Sequence, residues 1–343
     1  MHDTMRTYII LLLSCLFLMA CHRQSPSGRG QESLPEDSLT LLNRQIASDS
    51  LNGDGYCRRA RYYLSRDQLN LSLHDINKAL SLDPSKSEYL ITVSDIYLQM
   101  AKVDDARETL DKASDNDPLN PDIYLKLARL YLIIKDYSLC HQYVHKVLTL
   151  DKSNARAYFI DGYAWLEKGD TANAIRNFQL SVQYDQNGVD AYRVLGTIYS
   201  QKHDPLAVSY FKNARDLRPD DTDILYDLAL AYQHNDRFDE AAMTYADILG
   251  LDSTNVKAYY NLGYINLVHT GNYPAAITYF TRAIGYDPRY VEAFYNRGLC
   301  YEILGDLTAA RNDYHKALDI KTNYPKAIEG LNRLDKNAIN SGH

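Results

Sequence analysis

The groups in this 343-residue chain best suited to chemistry are a histidine pair and a large population of tyrosines. His141 and His145 are spaced i, i+4, so a helix would place both imidazoles on one face, as a shared metal ion requires. No third ligand accompanies them, and the expectation is an exposed helix face with no metal. Thirty residues are tyrosine. Two of them recur before asparagine in matching surroundings, Tyr260-Asn261 in AYYNLG and Tyr295-Asn296 in AFYNRG. A primary amide offers both donor and acceptor, so it can satisfy a peptide group without reading its side chain. Tyrosine adds rigid apolar area, and such anchors contribute about 2 kcal/mol or more to an interface. No Gly-rich phosphate loop, nucleophile elbow or HExxH sequence is present. The carboxylates are scattered without an apolar setting to raise a pKa. The chain is therefore expected to bind rather than to catalyse, and to need no cofactor. Its net charge is −7 with no basic stripe to displace counterions, which argues against nucleic acid.

The positioning of these groups follows from a period. Pro84, Pro118, Lys152, Gln186, Pro219, Ser253, Pro288 and Thr322 stand 34, 34, 34, 33, 34, 35 and 34 residues apart, most of them directly after aspartate. Each interval holds two apolar stretches at helical spacing. In residues 256–288, for example, Tyr259, Leu262 and Gly263 are followed by Ala276, Phe280, Ala283 and Pro288. Thirteen tyrosines fall on recurring positions of this kind, from Tyr56 and Tyr63 to Tyr301 and Tyr314, and are expected to pack. The one-residue deficit near Lys202–Pro205 and the one-residue excess near His269–Pro274 both fall near the turn between the two helices. A local change of twist is expected there, not a broken unit.

The pattern resembles the tetratricopeptide repeat, over residues 53–322. The resemblance implies an all-α fold, a right-handed α-solenoid of about eight helix pairs. Glu36–Asp49, with Leu39, Leu42 and Ile46 on one stripe, and Tyr324–Lys336 are expected as capping helices. The implied organisation is 1–20 leader, 21–35 tether, 36–52 N-terminal cap, 53–322 eight repeats and 323–343 C-terminal cap and tail.

In that family the first helix of each unit lines a concave face. By resemblance, this face presents Arg58, Arg61, Lys126, Arg129, Phe159, Tyr163, Arg193, Tyr226, Asp227, Tyr260, Asn261, Tyr264, Tyr295, Asn296 and Glu302. The first three repeats would be locally basic and the later ones aromatic and amide-rich. Asp95 among the basic residues departs from the carboxylate clamp of chaperone-binding members, so a chaperone C-terminus is not the expected ligand. The implied partner is a protein or an extended peptide. The alternative is a glycan or peptidoglycan strand stacked on the groove tyrosines. Cys57, Cys140 and Cys300 lie at least two repeats apart, too far to pair within one solenoid. Cys140 reads as a small core residue, and Cys57, at a groove position, as the thiol able to react.

At the N-terminus, Tyr8–Ala20 is a 13-residue apolar run behind Arg6. It suits a signal-peptide core and is too short to span a bilayer. Translation from Met5 would give the more usual basic start. The run ends Leu18-Met19-Ala20-Cys21, which resembles the bacterial lipobox. That resemblance implies lipidation at Cys21 and permanent membrane attachment, because several acyl chains anchor where one does not. His22 after the cysteine favours the outer membrane in a cell that has one. The segment 22–35, rich in Ser, Gly, Gln and Pro, reads as a tether reaching about 20 Å.

Overall fold

The structure, a computed structural model, describes residues 36–340; Cys21, the apolar run and the tether lie outside the described residues. Every element among the described residues is helical. The helices gather into two compact units, which divide after Asn187. In the first unit α1 (Glu36–Ser48) precedes four hairpins. These are α2 (Gly53–Ser65) with α3 (Leu69–Leu82), α4 (Ser87–Gln99) with α5 (Val103–Asn116), α6 (Pro121–Ile133) with α7 (Tyr137–Leu150), and α8 (Ala155–Glu167) with α9 (Thr171–Tyr184). In the second unit four more hairpins precede a last helix, α18 (Pro325–Asn340). They are α10 (Val189–Gln201) with α11 (Leu206–Leu217), α12 (Thr222–His234) with α13 (Phe238–Leu251), α14 (Val256–Ile265) with α15 (Tyr273–Tyr286), and α16 (Val291–Leu304) with α17 (Leu307–Ile320). Each unit is thus a stretch of α-solenoid in which every hairpin packs on its neighbours in sequence.

The core repeats one contact. A second-helix aromatic ring enters the space left by a first-helix glycine. A Cβ on Gly162 would sit 2.8 Å from Phe178 in the first unit. In the second unit the distances are 2.7 Å for Gly196 to Phe211, 2.7 Å for Gly263 to Phe280 and 2.9 Å for Gly298 to Tyr314. Phe178, Phe280 and Tyr314 are fully buried. The small residue read from the sequence is therefore what allows the two helices of a hairpin to close.

The turns explain the rest of the period. In every hairpin turn one residue takes a left-handed conformation and ends the first helix. Only Gly169, Gly271 and Gly305 are glycine at that place, while Asp67, Ala101, Lys135, His203 and Asp236 adopt it with φ of 54–63°. Between hairpins the recurring aspartate closes the loop with its own side chain. Asp83, Asp151 and Asp185 each accept from the amide two residues on at 2.9–3.1 Å, and Asp252 and Asp287 repeat the bond in the second unit. First-helix tyrosines fasten the same loops from the other side. Tyr124, Tyr158 and Tyr259 donate to the carbonyls of Pro118, Lys152 and Ser253, six residues earlier, at 2.9–3.2 Å.

Both length irregularities are absorbed locally. The extra residue near His269 becomes a π-helical turn, Asn266–Thr270, which ends at left-handed Gly271. The deficit near Lys202 shortens α11 to 12 residues against 14 in the neighbouring second helices. The end helices pack with their apolar faces inward. Ile46 of α1 is buried against Gly55, and Ala327 and Leu334 of α18 are buried at the other end. Arg333 of α18 grips Glu302 through two hydrogen bonds of 2.9 and 2.8 Å, and Tyr314 donates to the same carboxylate.

Candidate functional site

The first helices of successive hairpins offer the candidate face, and packing decides which of its side chains a partner can reach. In the first unit Arg58 and Arg61 are exposed. Arg61 is already engaged, ion-paired with Glu88 at 2.9 Å and donating to Thr92 at 3.1 Å. Lys126, expected on the open face, is instead buried, its ammonium held between both Asp95 oxygens at 2.6 and 2.7 Å. A buried ammonium needs such a partner, because the penalty of leaving water is otherwise uncompensated. Arg129 is half-buried. The local basic character expected of these repeats is thus largely neutralised by Glu88 and Asp95.

Aromatic expectations divide in the same way. Phe159 is half-buried and stands edge-on to Tyr163, with centroids 4.9 Å apart. Tyr163, expected to line the groove, is buried with its ring 5.2 Å from Phe178. In the second unit Arg193 donates to Asp227 at 3.0 Å. Burial pushes the Asp227 carboxyl upward, while the guanidinium pulls against it. Tyr226, Tyr260 and Tyr295 are half-buried, and Tyr264 is exposed.

The asparagines have a different role from the one expected. Asn261 and Asn296 are both buried. The Asn261 amide donates to the Tyr226 hydroxyl at 3.3 Å and to the Lys257 carbonyl at 2.9 Å. Asn296 donates to the Tyr260 hydroxyl at 3.1 Å. The repeated Tyr-Asn pair therefore forms rungs between consecutive first helices, each asparagine bonding the tyrosine of the preceding repeat. Its NH2 group is spent on the fold and does not wait for a peptide. Glu302, also expected on this face, is committed to Arg333 and Tyr314. What remains accessible in the second unit is a set of tyrosine rings, and in the first unit Arg58.

Cys57 is not the reactive thiol its position suggested. It is 2% exposed, its sulfur lies 3.6 Å from Thr92 Oγ1, and burial raises its pKa. Burial pushes Cys140 and Cys300 up to about 12. All three are free thiols. His141 and His145 do not act together. His141 Nδ1 lies 2.6 Å from Asp161, its ring lies tilted against Trp165 with centroids 4.4 Å apart, and the Trp165 indole donates to the same carboxylate. His145 is exposed. Among the described residues no group of three His, Cys, Asp or Glu side chains could hold a metal ion. Two shallow pockets left no trace in the sequence. One of about 320 Å3 lies beside Tyr226 and Lys257, and one of about 230 Å3 lies between α10 and α12.

Helix hairpins on a 34-residue period, closed by a glycine–aromatic contact and presenting side chains from their first helices, define a tetratricopeptide-repeat scaffold. Family comparison gives the same class. Two profiles described as tetratricopeptide repeat match residues 94–139 with 265–327, and 206–263, so the chain carries tetratricopeptide repeats. It is similar to Tetratricopeptide repeat protein 13 of Homo sapiens, 23% identical over 173 residues that cover 50% of this chain and 20% of the relative. It is also similar to Protein FlbA of Caulobacter vibrioides, 26% identical over 217 residues, 62% of this chain and 36% of the relative. The chain spans well under two thirds of the length of both. Among solved structures, the C-terminal part of a TPR repeat-containing protein from Cytophaga hutchinsonii superposes with a TM-score of 0.61 at 22% identity, covering 70% of this chain and 99% of that one. The likeness shows the fold.

Proposed function

We propose that the chain is a lipid-anchored scaffold that holds a protein or extended peptide on its first-helix face, in envelope assembly, secretion or wall remodelling. The observation that carries this reading is the residue of packing. Once the glycine–aromatic core and the Asn–Tyr rungs are satisfied, the first helices of the second unit still offer the rings of Tyr226, Tyr260 and Tyr295 and an exposed Tyr264, and those of the first unit an exposed Arg58. Tyrosine presented with one polar end and one apolar face suits a wet, specific interface. The anchor follows from the lipobox-like run ending at Cys21 and from the tether behind it.

Photo-crosslinking tests the face directly. A photoreactive residue at Tyr264 is expected to capture a discrete partner in the native membrane, while the same residue at Met243, an exposed second-helix position, captures none. Equal yields at both positions would remove the reading, and a glycan adduct at position 264 would redirect it to cell-wall binding. Palmitate labelling that is lost in Cys21→Ser tests the anchor separately.

A further inference from the structure

The pocket of about 230 Å3 between α10 and α12 differs from the surfaces around it in what its polar groups are doing. Ser200, Gln201, His203 and His234 line it, and among the described residues none of their side chains takes part in a hydrogen bond or an ion pair. Elsewhere on the first helices Arg61, Lys126, Asn261 and Asn296 are engaged by neighbouring repeats. The apolar part of the lining is Phe211, 2% exposed, and half-buried Leu230. Its one carboxylate, Asp227, is already met by Arg193 at 3.0 Å.

That combination selects a guest. At about 230 Å3 the pocket is smaller than the roughly 300–1,000 Å3 of small-molecule sites, and it matches a single large side chain. An ionised side chain would give up water for a site whose carboxylate is already neutralised. A sugar ring would set hydroxyls against Phe211 and Leu230 with no partner there. A neutral apolar side chain gains both contacts and leaves no polar group stranded. The rest of the lining suits what such a side chain is attached to. A hydroxyl, a primary amide and imidazoles can give and accept hydrogen bonds, as a passing peptide backbone requires.

The apolar character also continues beyond the pocket. One period after Leu230 and His234 come Tyr264 and Val268, 37% and 52% exposed, and one period further Ile303 is 48% exposed. Exposed apolar side chains recurring on consecutive first helices mark an interaction surface, and a row of them fits a chain better than a small solute.

We propose that this pocket anchors one large neutral apolar side chain (leucine, methionine or phenylalanine) of an extended peptide segment. Ser200, Gln201 and His234 hold the backbone of that segment, and its continuation runs over Tyr264 and Val268. The inference rests on the scaffold reading and names the partner's chemistry, and every residue involved lies in the second unit.

The test is selection of a displayed library of random peptides of about nine residues, about 30 Å long when extended, on the full chain. Enriched sequences are expected to share one large apolar residue, and a photoreactive phenylalanine analogue in its place should crosslink to Leu230 or His234. Leu230→Ser and the double variant Gln201→Ala with His234→Ala should each weaken the enriched peptide about tenfold in fluorescence anisotropy. The double variant changes only exposed side chains that bond to nothing, so it leaves the fold intact. Met243→Ala, at an exposed second-helix position, should leave the affinity unchanged. A shared charged residue in place of the apolar one, crosslinks confined to other first helices, or affinity that survives both variants overturns the proposal and leaves the scaffold reading standing. Crosslinks confined to second helices, or no enrichment of any peptide, remove both.

Discussion

Gly263→Ala isolates the contact that closes the hairpins. In a helix interior this substitution ordinarily stabilises by about 1 kcal/mol, because glycine loses more backbone entropy than alanine on folding. Here the added Cβ would lie 2.7, 2.8 and 3.0 Å from three atoms of the fully buried Phe280 ring, so the ring or the helix must shift. Forcing an extra carbon into such a core costs about 1–3 kcal/mol. The balance is a net loss of about 1 kcal/mol. Gly250→Ala and Gly285→Ala provide the control, since a Cβ at either meets nothing within 4 Å. Both should stabilise by a few tenths of a kcal/mol up to about 1 kcal/mol. The same chemical change is thus expected to carry opposite signs, measured as shifts in the urea midpoint followed by circular dichroism. Gly263→Ala combined with Phe280→Leu should recover about 1 kcal/mol relative to the sum of the single changes, because the smaller side chain vacates the contested space. If Gly263→Ala stabilises as much as Gly250→Ala, the close approach does not govern the fold and the packing account fails.

Other consequences can be checked in the same preparation. At the left-handed turn positions Ala101→Gly should stabilise, and Gly305→Ala should destabilise, each by about 1 kcal/mol in thermal melts, since a Cβ is strained at φ of 58° and 85°. Burial works to raise Glu302, but Arg333 and Tyr314 outweigh it and hold the carboxyl below its ordinary value of 4.5. A depressed carboxyl contributes stability that is complete above about pH 4.5 and is lost as the pH falls through the lower native value. Amides of α18 should therefore lose hydrogen-exchange protection in that acid window, and Glu302→Gln should show the loss already near neutrality. Cys57, Cys140 and Cys300 should resist alkylation in the folded chain and react only on unfolding, as peptide mapping by mass spectrometry would record.

The hairpins were legible because their determinants are local or strictly periodic. Gly162, Gly196, Gly263 and Gly298 recur at one place and the aromatic ring that fills each gap recurs at another, so the period fixes both partners of the contact. The stops were only partly legible. Aspartate before the loop marks an Asx turn whatever follows it, and the pattern survives where proline gives way to Lys152 or Ser253. The left-handed residue of each hairpin turn left little trace. Five of the eight turns place Asp, Ala, Lys or His there, because the flanking helices impose the conformation and the local preference of the residue yields to them. The extra residue of the seventh repeat was visible as a length change, but not its form, since a π-helical turn satisfies the backbone without any residue type that announces it.

The candidate face was the least legible part, and Asn261 shows why. Spacing places it correctly on the first helix, facing the helix before it. Whether its amide is then offered to a ligand depends on two acceptors, the Lys257 carbonyl one turn back and the Tyr226 hydroxyl 35 residues away. Only the first is local, and no single-chain pattern reports the second. The same holds for Lys126, whose charge is absorbed by Asp95 from the preceding repeat, and for Arg61, which meets Glu88 of the following one. In a solenoid, each repeat sees its neighbours at a separation near one full period, so a polar residue aligned with a complementary one in the next unit is spent on stacking. A sequence-level search for binding residues in such arrays must therefore discount every polar position whose counterpart one period away can pair with it. Applied here, that discount removes Arg61, Lys126, Arg193, Asn261 and Asn296 together with the hydroxyls of Tyr226 and Tyr260, and leaves Arg58, Tyr295 and above all Tyr264 on the turn that leads into the π-helical segment.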